Sequence, residues 1–186
     1  MARINKKILW ITQTAIFIAL LIALQAVTAP LGQLVTGSCV NLILITAALT
    51  AGIWSGLTVG LLSPIFAFLF GIGPQLIQII PVIIIGNLII VIVTWLISSK
   101  AIRKGNVMGF VQGYIGIILG AVAKFLVLWL GVTQVFIPLM GDALKPQQVT
   151  TFTAMFSTPQ LITALIGGAV SIPLAFALNK ILKRAE

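Results

Sequence analysis

Hydrophobic residues along the chain fall into long runs separated by short polar or glycine-rich segments. The first run covers residues 8–29, and about 20 apolar residues rising 1.5 Å each are enough to cross a bilayer as a helix. The apolar stretch 35–70 is too long for one crossing of a ~30 Å hydrocarbon core, so a break is expected at Gly52-Ile-Trp-Ser-Gly56. The pattern therefore predicts spans over residues 8–29, 36–52, 55–71, 77–98, 107–131 and 158–178.

Composition assigns the chain to a membrane. Of 186 residues, 60% are hydrophobic and 7% are charged, and a soluble domain of this size cannot cover that much apolar surface. We predict an all-α integral membrane bundle of six transmembrane helices in a single domain, residues 1–186. A cleaved signal peptide is the alternative for residues 8–29, although the length of this run and the five spans after it favour a membrane helix.

The net charge of +9 is concentrated at the ends of the spans. A basic groove for nucleic acid would need these charges on one folded face, so no nucleic-acid partner is expected. Under the positive-inside rule, six spans place both termini and all three basic clusters on the cytoplasmic side of a cell membrane. The clusters are Arg3, Lys6 and Lys7; Lys100, Arg103 and Lys104; and Lys180, Lys183 and Arg184.

The chain lacks the residues that several kinds of chemistry require. With no histidine, two acidic residues and one cysteine, neither a metal site nor an internal disulfide is expected, and we predict no cofactor. No Gly-xxxx-Gly-Lys-Ser/Thr loop is present, so the chain is not expected to hydrolyse ATP, and the missing acid–base groups disfavour an enzyme. The spans also carry no carboxylate for proton coupling. Any transport would therefore need a driving force that this chain does not supply.

Lys124 lies in the middle of the fifth span, and Lys104 is the nearest charge on its N-terminal side. An ammonium at that depth needs a partner, a watery cavity or a route to the interface. Snorkelling to the outer interface and pairing with Asp142 are two structural alternatives. We expect instead that Lys124 faces a solute pocket.

Polar side chains are gathered toward the outer halves of the spans. An amide in hydrocarbon is costly without a partner, so these groups should face one another or a ligand. An interhelical hydrogen bond explains any single one of them, such as Asn87, but a set on one side of the membrane indicates a site open to the outside. The predicted substrate-binding residues are Lys124, Asn41, Asn87, Gln33, Thr36, Ser38, Gln75, Gln78, Trp129, Gln160 and Thr163.

The first span also carries Ala15, Ala19 and Ala23. Alanines four residues apart lie on one face of a helix and let another helix approach closely. Packing inside the bundle is the ordinary use of such a strip. Contact with a partner protein is the other.

Together these features resemble the substrate-binding S component of an energy-coupling factor (ECF) transporter. The resemblance covers essentially the whole chain, in length, helix number and the alanine strip. It also rests on the segments Thr36-Gly-Ser-Cys-Val-Asn41, Gly60-Leu-Leu-Ser-Pro64, Gly71-Ile-Gly-Pro74 and Phe156-Ser-Thr-Pro-Gln160.

The resemblance implies a substrate-binding subunit that captures a vitamin outside the cell. Its partners would be a transmembrane coupling subunit and two cytoplasmic ATPases, which hydrolyse the ATP. Ala15, Ala19 and Ala23 would dock on the coupling subunit, and loops at 30–37, 71–77 and 132–157 would gate the pocket while the subunit topples in the bilayer. A stand-alone small-solute carrier or channel is the alternative function.

A cation among amides suits a small anion that also bears hydroxyl and amide groups, because a partly buried Lys–carboxylate pair is charge-assisted. Pantothenate, a known substrate class of this family, meets that description and is the expected ligand. Cobalamin is the main competitor, since the long segment 132–157 could cover a bulky ligand.

Overall fold

The protein is all-helical in the computed structural model, which describes residues 6–185, with side chains up to Leu182. No strand occurs among these residues, so the all-α prediction is confirmed. Arg3 and the side chains of Lys183 and Arg184, predicted to be cytoplasmic, lie outside the described part. The helices are α1 (Lys6–Thr28), α2 (Gln33–Thr50), α3 (Ile53–Leu69), α4 (Ile80–Lys104), α5 (Val107–Trp129), α6 (Ile137–Met140), α7 (Pro146–Met155) and α8 (Thr158–Ala185).

In the described part of the chain, five helical segments are long and apolar enough to cross a membrane. Helix α3 is apolar but shorter, with 17 residues, or about 26 Å at 1.5 Å per residue, slightly less than a ~30 Å hydrocarbon core. The predicted sixth membrane crossing therefore depends on whether α3 spans the bilayer. The five longer segments are Lys6–Leu31, Gln33–Thr50, Ile77–Lys104, Val107–Ala143 and Pro146–Leu182.

The long apolar stretch 35–70 is divided at Gly52. Helix α2 ends at Thr50 and α3 begins at Ile53, and Gly52 between them has φ +100°. Glycine reaches this conformation without the steric penalty that a side chain would add. The structure thus turns the chain back at the glycine-bounded segment that the sequence singled out.

Helices α4 and α8 extend beyond the predicted span ends at 98 and 178. Arg103 and Lys104 occupy the last turn of α4, which stops at Gly105 in the left-handed conformation. Positive charge at a helix C-terminus is favourable because the exposed carbonyls there carry partial negative charge. The basic residues therefore continue the helix, whereas hydropathy alone ended the span before them.

The segment 132–157, expected as an external and partly helical loop, is mostly helical and packed. A π-helical turn over Leu130–Phe136 continues α5 and leads into α6, and α7 follows a short 3-10 turn. This segment covers one end of the bundle as a cap. Its buried side chains form an apolar cluster with Ile79 and Leu128, namely Val132, Phe136, Leu144, Phe152 and Phe156.

The bundle has two different ends. The capped end carries the connections 29–32, 70–79 and 130–157. The basic end carries the 100–104 cluster and the starts of α1 and α5. Helix α1 lies at the side and packs mainly on α2 and α3, while α4 lies along α5 and α2 along α8.

Close helix crossings bring the polar residues of different helices together. At Gly167 of α8, a Cβ atom would lie 2.8 Å from the backbone nitrogen of Leu42 in α2. At Gly86 of α4, it would lie 2.7 Å from side-chain atoms of Leu128 in α5. Only glycine permits these approaches, which set α2, α4, α5 and α8 around a common interior.

Candidate functional site

A cavity of about 300 Å³ lies at the capped end of the bundle. Its walls come from α1 to α5, and its rim from the turn at residues 71–74, Met155, Phe156 and Gln160. The volume lies at the lower end of the range of roughly 300–1,000 Å³ typical of small-molecule sites. Asn41 and Asn87 lie eight and seven residues from the capped-end starts of α2 and α4, about 10–12 Å below the rim.

Lys124 forms the base of this cavity and is only 3% exposed. Its Nζ donates hydrogen bonds to Asn41 Oδ1 at 2.7 Å and to Asn87 Oδ1 at 2.8 Å. An ammonium has three N–H donors, so one remains for a ligand. The side chain neither snorkels nor pairs with Asp142, which is exposed. No carboxylate within residues 6–185 contacts it.

The two asparagines are oriented by a second layer of hydrogen bonds. Asn41 Nδ2 donates to Gly37 O at 2.9 Å and to Thr163 Oγ1 at 3.4 Å. Asn87 Nδ2 donates to Gly60 O at 3.4 Å. Because each NH₂ group faces a backbone or hydroxyl acceptor, each amide oxygen is turned toward Lys124.

Pro64 explains why the carbonyl of Gly60 can accept a side chain. In a regular helix this carbonyl would accept the backbone N–H of residue 64, four positions later, but proline has no N–H. Pro64 lies inside α3 and lines the cavity. Pro64 therefore leaves the Gly60 carbonyl available as an acceptor for the Asn87 amide N–H.

The electrostatic character of the site follows from these partners. A buried charge is costly when its partners are only neutral, and Lys124 has only amide oxygens among the described residues. A carboxylate placed in the cavity would form a charge-assisted hydrogen bond with the ammonium. The arrangement is therefore suited to an anion.

Three further predicted residues line the upper cavity, but their side-chain donors already form hydrogen bonds with backbone carbonyls. Gln33 and Gln160 both donate from Nε2 to Met155 O, at 2.7 and 3.0 Å. Thr36 donates to Thr28 O at 2.8 Å. The first two bonds connect α2 and α8 to the end of α7, so these amides hold the cap on the bundle.

Five of the predicted residues do not line the cavity. Thr163 is buried behind Asn41 and donates to Gln160 O at 3.1 Å. Trp129 is 37% exposed and stacks on Phe125 with ring centroids 6.3 Å apart. The other three are Ser38, which donates to Leu34 O at 2.7 Å, Gln75, which is exposed and donates to Gly73 O at 3.3 Å, and Gln78, which is exposed.

Two polar residues outside the predicted set do line the cavity. Gln25 in α1 is 5% exposed and Ser63 in α3 is 2% exposed. Each interrupts an apolar run, the same signal that singled out Asn87. Apolar side chains complete the wall, among them Ile83, Phe68 and Phe156.

The alanine strip lies on the outer surface of α1. Ala15, Ala19 and Ala23 are all exposed, while α1 packs on α2 and α3 through residues of its other face such as Leu21 and Thr14. Packing inside this bundle is therefore not how the strip is used.

Comparison with known proteins gives one family. The family model for the substrate-specific component of ECF transporters matches residues 11–179. No curated protein and no solved structure matches the chain. The family match covers nearly the whole chain, including every helix wall of the cavity. This multi-pass membrane protein therefore belongs to the substrate-specific components of energy-coupling factor transporters.

Proposed function

We propose that this chain binds a small water-soluble carboxylate, with pantothenate as the lead candidate, in the cavity at Lys124, and delivers it inward when it is coupled to an ATPase module. The observation that carries the proposal is the buried ammonium in the cavity wall, held by two amide oxygens and by no carboxylate of the described residues. A ligand carboxylate supplies the missing negative charge.

The lining and volume support pantothenate over cobalamin. Pantothenate has a carboxylate, an amide, two hydroxyls and a branched alkyl group, and the cavity has a cation, amides and an apolar wall. A volume of about 300 Å³ suits a molecule of that size. Cobalamin, with its corrin ring and nucleotide tail, is several times larger.

The positive-inside rule supports an orientation in which the capped end faces the outside. Lys100, Arg103 and Lys104 are at the opposite end, with Lys6 and Lys7 at the start of α1. In this orientation the cavity receives solute from outside and both termini are cytoplasmic.

Family membership implies work with a coupling subunit and ATPase subunits, since a substrate-specific component is one part of the transporter. The exposed strip of Ala15, Ala19 and Ala23 is the proposed contact for the transmembrane coupling subunit. Small side chains allow a partner helix to approach the backbone closely. ATP hydrolysis belongs to the two partner ATPases.

The test is ligand binding by the purified protein and by Lys124→Ala. We expect the wild-type chain to bind pantothenate in isothermal titration calorimetry and Lys124→Ala to lose about 100-fold or more in affinity, because a buried charge-assisted contact is removed. Lys145→Ala is the matched control, since Lys145 is exposed at the same end of the bundle and does not line the cavity.

Unchanged pantothenate affinity in Lys124→Ala would remove this residue from the site. Tight binding of cobalamin without binding of pantothenate would make cobalamin the preferred candidate ligand. Uptake into liposomes by the purified chain alone, without ATPase subunits, would indicate a stand-alone carrier.

A further inference from the structure

A second polar pair lies in the cavity wall, between α1 and α3. Gln25 Nε2 donates to Ser63 Oγ at 3.5 Å, a long and weak hydrogen bond. Both side chains are at least nine-tenths buried, and both line the cavity. Neither is needed to hold Lys124.

This pair keeps unused hydrogen-bonding capacity. Within residues 6–185, Gln25 Oε1 accepts no hydrogen bond and the Ser63 hydroxyl donates none. Gln25 Oε1 is not among the fully buried side-chain atoms without a partner in the described residues, which are Thr46 Oγ1 and Trp95 Nε1, so it is accessible to a ligand from the cavity. The other polar residues of the upper cavity, Gln33, Thr36 and Gln160, already donate to backbone carbonyls.

The position of the pair relative to Lys124 follows from α3. Gly60, whose carbonyl accepts the Asn87 amide, is three residues before Ser63. Three residues of helix correspond to about 4.5 Å along the axis, or nearly one turn. The Gln25–Ser63 pair therefore lies about one turn nearer the rim than the asparagines that hold the ammonium.

The wall formed by α4 at this level is apolar. Ile83 lies one turn from Asn87 toward the capped end and lines the cavity, as does Ile80. A ligand group at this depth meets hydrogen-bonding atoms from α1 and α3 and an alkyl surface from α4. The cavity therefore distinguishes the polar side of a ligand from its apolar side.

We propose that Gln25 and Ser63 form a second subsite, which binds a hydroxyl group of the ligand about one helical turn nearer the rim than its carboxylate at Lys124. The assignment rests on the proposed function, and it narrows the substrate class to hydroxycarboxylates. Gln25 offers an acceptor and Ser63 a donor, the combination that a hydroxyl group, which both donates and accepts, matches.

The test compares two probes, pantothenate and its dideoxy analogue, which keeps the carboxylate, amide and methyl groups. We expect the wild-type chain to prefer pantothenate by about tenfold or more, because the analogue leaves buried polar groups unpaired. In Ser63→Ala and in Gln25→Leu the preference should fall toward equal affinity. Thermal unfolding of each variant checks that it is folded.

Gln13→Leu is the matched control. It makes the same substitution in α1, at a residue that does not line the cavity, and should keep the wild-type preference. Equal affinity of the wild-type chain for the two probes, or an unchanged preference in both Ser63→Ala and Gln25→Leu, would overturn the subsite alone. Failure of the wild-type chain to bind either probe would overturn the proposed function together with this ligand class.

Discussion

At the scale of single residues, the identity of the partners of Lys124 decides what the cavity attracts. Two asparagine oxygens satisfy the geometry of the ammonium without cancelling its charge. In a buried, low-dielectric site an uncancelled charge attracts an anion far more strongly than it would in water. An aspartate in either position would supply the counter-charge from within the protein.

We predict that Asn41→Asp weakens ligand binding. The new carboxylate would pair with Lys124, and its second oxygen would replace the amide NH₂ that now donates to Gly37 O and Thr163 Oγ1. We expect pantothenate affinity to fall by about tenfold or more, because the ligand must compete with an internal ion pair. A cooperative thermal unfolding transition checks that the variant is folded.

Asn106→Asp is the control for this substitution. Asn106 caps α5 by accepting the backbone N–H of Gly109 at 2.9 Å, and aspartate caps a helix equally well. Calorimetry should therefore give wild-type affinity for that variant. Wild-type or stronger affinity in Asn41→Asp would contradict the idea that the amide pair preserves a charge for the ligand.

At the scale of elements, two helices contain an internal proline, and both prolines free a carbonyl for a neighbouring helix. Pro64 in α3 leaves the Gly60 carbonyl to Asn87. Pro173 in α8 leaves the carbonyl of Ala169, which accepts the Tyr114 hydroxyl at 3.5 Å. The first of these contacts orients Asn87 in the cavity wall, and the second lies outside the cavity.

We therefore predict that Pro64→Ala weakens binding without weakening the fold. Alanine at this position restores the backbone donor, so the Gly60 carbonyl returns to its helix and competes with the Asn87 amide. Loss of one long hydrogen bond, 3.4 Å between donor and acceptor, corresponds to about a two- to threefold drop in pantothenate affinity. The thermal midpoint should stay the same or rise, since an interior proline no longer interrupts α3.

Pro173→Ala provides the comparison, because it repairs α8 in the same way without a connection to Asn87. We expect its thermal midpoint to behave like that of Pro64→Ala, with unchanged ligand affinity. Equal affinities in the two variants would show that Pro64 does not position the site.

The sequence predicts the helices well because hydropathy depends on composition over many residues. It also places Lys124, Asn41 and Asn87 in one expected polar group, because a buried cation and buried amides each need polar partners, and in the structure these three side chains are hydrogen-bonded. The direction in which a side chain projects from its helix is harder to predict from the sequence. Trp129 is five residues from Lys124, which turns it about 140° away at 3.6 residues per turn, and it lies outside the cavity.

Gln25 and Ser63 line the cavity, but they are not among the residues that the sequence singled out. Each is a lone polar residue in an apolar run, and a single such residue is equally consistent with an interhelical hydrogen bond. Only the three-dimensional arrangement shows that their one contact is weak and that both face the cavity. The contact between Gln25 of α1 and Ser63 of α3 cannot be predicted from the sequence of either helix alone.

At the scale of the whole molecule, α1 connects two surfaces. Gln25 contributes to the cavity, while Ala15, Ala19 and Ala23 face outward on the same helix. Because α1 lies at the side of the bundle and packs mainly on α2 and α3, its outer face is open to a partner within the bilayer. The cavity-lining residue Gln25 and the exposed alanine strip therefore lie on one helix but on different faces.

This separation predicts that Ala19→Trp abolishes co-purification with the coupling subunit and ATPases while pantothenate affinity stays at the wild-type value. A bulky ring on the strip prevents close helix approach, but it does not point into the cavity, since Ala19 is exposed. Ala177→Trp, at an exposed alanine of α8, should retain the complex. Intact complexes with Ala19→Trp would place docking elsewhere, whereas loss of ligand binding in that variant would mean that the two faces of α1 are not independent.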